Sequence, residues 1–468
     1  MFRNLLNWIR EAWNKMIGPN SIKSALNIDV ELSSEMTTAL ELWSRMYQND
    51  ASWLTTEVVS LNLPAAISSE LARSATIEMA MDVTGSARAD YLDEQIASVI
   101  TSMREQLEYG CAKGGLVMKP YISGDEIKVD FVQADQFFPV SFDASKRMTA
   151  CIFSDQRKIG AHYYTRLEYH SFEAPNYFIV NKVYRTSTKD TLGAEVPITE
   201  VDIWADIQPE ATLGPVTAPL FAYFSYPMSN NVDPTSPLGI SCFSRATNLI
   251  EQADIQWSDF RWEFESGKRA LYVDVLAFDK DSNGKPILPH KRLYRTLNDG
   301  TNNIGDDGMF EEWSPDLRET NMLTGLDAIL KRIEYTCGLA YGTLSDPNFV
   351  AKTATEIQSS KQRSAATVKD IQKALEQALN DLLYAMDVWT SLGKLAAKGA
   401  YQAVYTFDDS LVIDSDEQNA KDRMSVSLGV MPKWVYLMRN YKMEEKAAKK
   451  WIAEAKKEAP ETSPFDGI

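Results

Sequence analysis

An apolar stripe in the last third of the chain constrains the fold more than any other feature. Val368, Ile371, Leu375, Ala378, Leu382, Ala385 and Trp389 recur in steps of three and four. That spacing is the seam of a long helix packed against other helices. The stretch that carries it, Tyr335 to Leu392, opens with a stop. Gly338 and Gly342 suit the left-handed cap that ends a helix. A short loop follows, Thr343 to Lys352, broken by Pro347. Thr353 and Glu356 then have the spacing of a capping box, each satisfying a backbone donor of the other. The first half of the new helix holds Ser359, Ser360, Lys361, Gln362, Arg363 and Ser364. Small, polar and basic residues there face either water or something charged.

A second stripe has the same period. Phe243, Ala246, Ile250, Ala253, Trp257, Phe260 and Phe264 form a core face, with Glu251, Asp254, Asp259, Glu263 and Glu265 at outward positions. Between the two stripes, Lys268 to Arg318 reads as a small β-rich insert. Ala270 to Phe278 and His290 to Leu297 are strand candidates, with a hairpin turn at Asn283-Gly284. Basic residues crowd the strands (Lys268, Arg269, Lys291, Arg292, Arg295). Acids crowd the later loop (Asp306, Asp307, Glu311, Glu312). A helix from Glu319 to Thr336 returns to the glycine stop.

Upstream, Met1 to Ile17 reads as an amphipathic helix, expected to dock on its own protein or a neighbour, the alternative being a membrane surface. Leu32 to Trp53, Leu61 to Met81 and Ala89 to Tyr109 read as helices, the last ending at Gly110. The period then changes to two. Leu116 to Ile122 and Glu126 to Val132 form a hairpin around Gly124, and strands follow at Thr149 to Phe153, Tyr163 to Phe172 and Tyr177 to Tyr184. Pro227 to Pro237 is a loop. Downstream come a strand, Ala403 to Phe407, an acidic link, Asp408 to Glu417, and helices from Asp416 to Leu428 and Lys433 to Lys457. The acidic run Asp414-Ser-Asp416-Glu417 lacks the glycine and distal glutamate of a calcium loop. Pro460 to Ile468 reads as a disordered tail.

Composition narrows the function. The 468 residues are 44 % hydrophobic and 24 % charged, which fits a globular chain with a large core. No run approaches ~20 apolar residues, so no membrane-spanning helix is expected. The formal charge of −17, from 65 acids and 48 bases, opposes a tight grip on nucleic acid over the whole surface. It suits a wall past which a polyanion slides. Four scattered cysteines suggest buried thiols rather than a disulfide framework. Enzyme signatures are missing. The three histidines, His162, His170 and His290, have no partner at helical spacing. His162 and His170 are expected on adjacent strands as packed or surface residues. Neither a phosphate-binding loop nor a Gly-x-Ser-x-Gly elbow occurs. No enzyme, cofactor or metal is expected.

The order helix, β insert, helix, short loop, long helix resembles the portal proteins of tailed bacteriophages, in particular the siphophage type. Phe137-Phe-Pro-Val, Tyr163-Tyr-Thr-Arg-Leu-Glu-Tyr-His and Tyr177-Phe-Ile-Val-Asn-Lys-Val-Tyr add to the likeness. The resemblance implies an α+β portal fold that assembles as a ring. Residues 1–235 would be the first part of a mixed helical and β wing. Residues 236–267 and 319–337 would be stem helices around a β-rich clip, 268–318. Residues 338–410 would hold the tunnel loop, the tunnel helix and the rest of the wing, and 411–468 a helical crown and tail.

The resemblance further implies a dodecameric homo-oligomer at the capsid portal vertex of the virion, assembled in the host cytoplasm. Double-stranded DNA would pass through it in packaging and ejection, without sequence specificity and without contact with a membrane. The large terminase subunit and then a head–tail adaptor would dock on the clip, through Lys291, Arg292, Arg295, Asp306, Asp307, Glu311 and Glu312. Major capsid and scaffolding proteins would be further partners. Asp346, Asn348, Phe349, Val350, Lys352, Lys361 and Arg363 would face the channel, and Trp257, Phe260 and Phe264 would pack the stem. The rival reading is a minor head or capsid interaction protein with no channel.

Overall fold

The structure, a computed structural model, describes residues 19–77, 79–189, 191–268, 270–274, 294–297, 310–313, 316–346, 354–407, 415–441 and 443–458. These form two units, the second starting at Thr406. Three helices open the first unit: α1 (Pro19–Leu26), α2 (Ser34–Tyr47) and α3 (Leu63–Thr76). Ser33 caps α2 by accepting the Met36 N–H, and Pro64 sits in the first turn of α3, where no amide partner is lost. The helix expected to reach Met81 stops earlier. Met79–Thr84 is strand β1, with Met81 and Val83 buried in alternation. The helix expected from Leu32 to Trp53 is likewise shorter at both ends.

Helix α4 (Ala87–Lys113) runs through Gly110 instead of ending there. Gly110 serves packing: a Cβ at this position would lie 3.1 Å from the Phe224 ring. The true stop is Gly114, at φ +84°, where a Cβ would strike the backbone of Gly239 and Ile240. The hairpin β2 (Gly115–Ser123) and β3 (Glu126–Gln133) follows as expected and joins β10 (Ala222–Ser225) in the order β10-β2-β3. A second antiparallel sheet holds β4 (Phe137–Phe142), β5 (Met148–Ile159), β6 (His162–Glu173), β7 (Asn176–Thr186) and β8 (Ala194–Val196), with β9 (Glu210–Leu213) also on β7. His162 and His170 therefore share strand β6 rather than lying on adjacent strands. His162 is exposed; His170 is buried and bonds the Tyr177 hydroxyl and Glu168, each at 2.7 Å.

Helix α5 (Thr247–Ser266) carries the second stripe, and α6 (Glu319–Cys337) packs beside it. The stripe is a core only in its first half. Phe243, Ala246, Ile250 and Ala253 are fully buried, Trp257 and Phe260 half-buried, and Phe264 exposed. Asp254, expected outward, is buried: it accepts from Trp53 Nε1 at 3.0 Å and from the Leu61 amide at 2.7 Å. At the end of α5, Glu263 takes the Arg318 guanidinium in a bidentate pair, at 3.0 and 2.6 Å, which ties α5 to the start of α6.

Between these helices lies a three-stranded sheet of β11 (Ala270–Asp274), β12 (Tyr294–Leu297) and β13 (Phe310–Trp313), in the order β12-β11-β13. β11 and β12 run parallel. They are not the arms of the expected hairpin, because a tight turn joins only antiparallel strands; Asn283-Gly284 lies outside the described residues. Glu311 and Glu312 belong to strand β13, not to an acidic loop, and Glu311 shares a register row with Arg295 across Tyr272. The expected separation of charge does not hold for these two positions.

The 39-residue helix α7 (Ala354–Leu392) spans roughly 58 Å. Its stripe from Val368 to Ala385 is buried in one core with α2 to α6 and both larger sheets. Strand β14 (Gln402–Phe407) pairs with β1. All four cysteines are free and buried, and burial raises their thiols, Cys242 to about 12.

The second unit contains α8 (Ser415–Ser427), α9 (Lys433–Tyr441) and α10 (Glu445–Glu458). The Tyr436 hydroxyl joins α9 to α8 through Asn419 and Arg423. The helix expected to run from Lys433 to Lys457 breaks after Tyr441. Its second half starts afresh, with the Ala448 amide on the Glu444 carbonyl.

Burial predicts how the second stripe responds to truncation. Ile250→Ala is expected to cost about 2–5 kcal/mol, whereas Trp257→Ala in the isolated chain should fall short of the ~3–5 kcal/mol of a fully buried aromatic. Urea unfolding of the two variants checks the order. The Glu168–His170 pair sets a pH dependence. Burial pushes His170 down from 6.5 despite the carboxylate beside it. Burial opposes the Glu168 charge, yet Lys119, His170 and Arg166 hold that carboxyl well below the usual range. Both folded values lie below the unfolded ones, so the stability they contribute is present above the unfolded values and lost as pH falls. The urea midpoint should drop between about pH 7.5 and about pH 5, and less steeply in His170→Gln.

Candidate nucleic-acid interface

The turn from α6 into α7 is held by three sets of contacts. Gly338 ends α6 at φ +73° with the Leu339 amide on the Glu334 carbonyl at 2.9 Å. A Cβ at Gly338 would lie 2.3 Å from Thr367 Oγ1, so the cap of α6 leaves no room for a side chain against Thr367. Beyond the cap, Glu334 is fully buried and gathers the returning chain. Its Oε1 accepts the amides of Gly342 (3.1 Å), Leu344 (2.6 Å) and Ser345 (2.8 Å), and its Oε2 accepts the Ser345 hydroxyl at 2.9 Å. Two turns earlier on α6, Asp327 accepts the Asp346 amide at 3.0 Å and pairs with Lys331.

Arg363 completes the root of the loop. Its guanidinium lies 4.3 Å from the Tyr335 ring centroid and 5.7 Å from that of Tyr341. Cation–π contacts of this kind are worth about 0.5–2 kcal/mol. Arg332 covers Tyr335 as well, at 5.3 Å.

The expected channel residues therefore divide. Arg363 braces α7 against α6, and Lys361, two residues nearer the loop, is exposed. Asp346 has its amide tied to α6. Asn348, Phe349, Val350 and Lys352 lie outside the described residues, as does Thr353 of the capping box. Of the clip positions, Lys291, Arg292, Asp306 and Asp307 lie outside them too, while Arg295, Glu311 and Glu312 sit on β12 and β13. The stem aromatics form a ladder, Trp257 stacked on Phe260 at 5.5 Å and Phe260 edge-on to Phe264 at 4.9 Å. Trp262 beside them is 65 % exposed and Phe264 41 %. Glu334 is the residue that sequence reasoning missed; its only trace is a lone acid four residues before a capping glycine.

Residues 99–461 match the family of phage portal proteins described as SPP1 Gp6-like. The chain belongs to this family. The portal chain is also similar to a solved structure, the neck of a native GTA particle computed with C12 symmetry. The identity is 9 %, the TM-score 0.43, and the match covers 87 % of this chain and 94 % of the other. At those values the likeness adds nothing to the family match. No curated protein matches the portal chain. Among the described residues no helix is long and apolar enough to cross a membrane, and no cluster of three or more metal-ligating side chains occurs.

Removal of the Glu334 side chain tests the hold on the loop. Glu334→Ala leaves the Leu344 and Ser345 amides without an acceptor, each worth about 1–3 kcal/mol, and the Gly342 amide with the Ser345 hydroxyl alone. The variant should unfold at markedly lower urea, and the amides of Gly342, Leu344 and Ser345 should exchange faster than in the parent. Glu334→Gln keeps an acceptor oxygen and should lie between the two.

Proposed function

We propose that this portal protein forms the ring-shaped channel at one capsid vertex through which double-stranded DNA enters and leaves the head. The observation that carries the reading is the braced loop root between two long helices, in a chain whose family is that of phage portals. A loop tied by Glu334, Asp327 and Arg363 starts from a fixed base. The sequence that follows includes the uncharged residues Asn348, Phe349 and Val350, a composition suited to touching a sliding polyanion without trapping it. Lys361 adds a salt-screened attraction. The net charge of −17 disfavours tight adhesion of DNA to the rest of the ring.

In this reading the division into wing, stem, clip, tunnel and crown follows the boundaries given above. The β11–β13 sheet, closed at its base by the Glu263–Arg318 pair, is the clip that receives the terminase and then the head-completion adaptor. The exposed aromatics of α5 pack against the next copy in a dodecameric ring. The protein contributes no catalytic step; a separate ATPase drives packaging.

Negative-stain electron microscopy of the purified protein tests the assembly. Rings with a central hole are expected, and discrete particles without one favour a minor head component. For the channel, Lys361→Glu should slow packaging into empty heads, measured as nuclease-protected DNA, more at low salt than at high salt. Equal packaging at every salt concentration would remove Lys361 from the DNA path.

A further inference from the structure

Charge is spread unevenly along this chain. Residues 433–458 hold eight bases and four acids, a net +4 within a chain of −17. Sign asymmetry of this kind marks a segment that meets a polyanion. Helix α10 concentrates it. At about 100° per residue, Lys446, Lys449, Lys450, Lys456 and Lys457 fall within one arc of about 120°, along roughly 17 Å of helix. Glu445 and Glu454 lie at the margins of the arc.

Packing within the second unit leaves this arc open. α9 packs against α10, where Ala448 is fully buried and Ile452 half-buried. Lys446, Lys449 and Lys450 are exposed. The Lys449 ammonium lies 4.7 Å from the Trp434 ring centroid and pairs with Glu445, and Lys450 approaches Glu454 at 3.9 Å. Exposed pairs of that kind are weak, so a polyanion competes for both lysines. The composition of the arc also selects its partner. Protein–protein interfaces are depleted in lysine and need aromatic or apolar anchors; the one apolar residue within this arc is Ala453. A membrane surface requires a broad apolar face beside the charge. The one large apolar side chain that α10 leaves exposed is Trp451, which lies outside the arc and beside Tyr441, 6.5 Å between ring centroids.

We propose that the lysine face of α10 binds the phosphate backbone of double-stranded DNA, without regard to sequence, as a contact additional to Lys361. The choice of DNA as the polyanion rests on the channel reading above; the contact itself needs neither ring nor channel. Lysines set one turn apart on a single helix face act on phosphates as point charges. Such contacts hold a duplex without reading its bases, and they loosen as salt rises. The rest of the chain, net acidic, repels the same duplex, so the binding is confined to this helix pair.

Fluorescence anisotropy of a short labelled DNA duplex with the full chain, over about 50–200 mM salt, tests this. The triple variant Lys446→Gln, Lys449→Gln, Lys450→Gln removes three charges and keeps good helix formers. It should bind about tenfold more weakly at the low-salt end, and the slope of log affinity against log salt should flatten by about 2.7. Arginine at the same three positions should keep the parent's affinity and slope. Parent-like affinity and slope in the glutamine variant, with its circular dichroism unchanged, overturns the proposal. Co-sedimentation of the chain with phosphatidylserine vesicles, without binding of the duplex, assigns the face to a membrane and overturns it as well. Loss of assembly in the glutamine variant with DNA binding unchanged gives the face to a neighbouring copy, against the proposal. If electron microscopy shows no rings, the channel reading fails, while a flattened salt slope still supports the DNA contact.

Discussion

A carboxylate with no exposure to water is costly unless donors surround it. Glu334 has four, three of them backbone amides of the segment that has just left its own helix. The exchange works in both directions. The buried charge gains the hydrogen bonds it needs, and a chain reversal that would leave amides unsatisfied gains a common acceptor. Everything beyond depends on this knot. It fixes where the loop starts, how closely α6 lies against Thr367, and where Arg363 finds its two tyrosine rings. The long helix α7 can then lay its stripe through the core of the first unit in a single register.

Two kinds of burial meet in the helical pair α5 and α6. The first half of α5 is ordinary core. The second half keeps the same period but loses its cover, so Trp257, Phe260 and Phe264 stack on one another at the margin. The Glu263–Arg318 pair then closes the base of the small sheet. Hydrophobic spacing alone does not distinguish these halves, because periodicity reports which residues share a face and not what lies opposite it.

That limit explains most of what the sequence did and did not reveal. The stripe of α7, the glycine stop at Gly338, the β2–β3 hairpin and the run of antiparallel strands were legible because local spacing and turn chemistry determine them. Strand β1 was hidden within a helical reading, because its partner β14 lies far along the chain. Gly110 looked like a terminus because its packing against Phe224 is tertiary. The parallel pairing of β11 with β12 and the burial of Asp254 are likewise decided by distant partners. At the candidate interface, Lys361 and Arg363 were recognisable as basic residues on the same stretch of helix. Their different surroundings depend on Tyr335 and Tyr341, which spacing does not connect to them. Glu334 carries no motif, since its ligands are backbone groups that any sequence would offer.

The four buried thiols have a practical consequence. The thiolate is the reactive form, and burial holds each cysteine far from ionising at neutral pH. The native protein is therefore a nearly silent background for maleimide and disulfide chemistry. A single cysteine introduced at an exposed position would take a fluorophore or spin label without removal of Cys111, Cys151, Cys242 or Cys337. Reaction of those four would report the opening of the core itself.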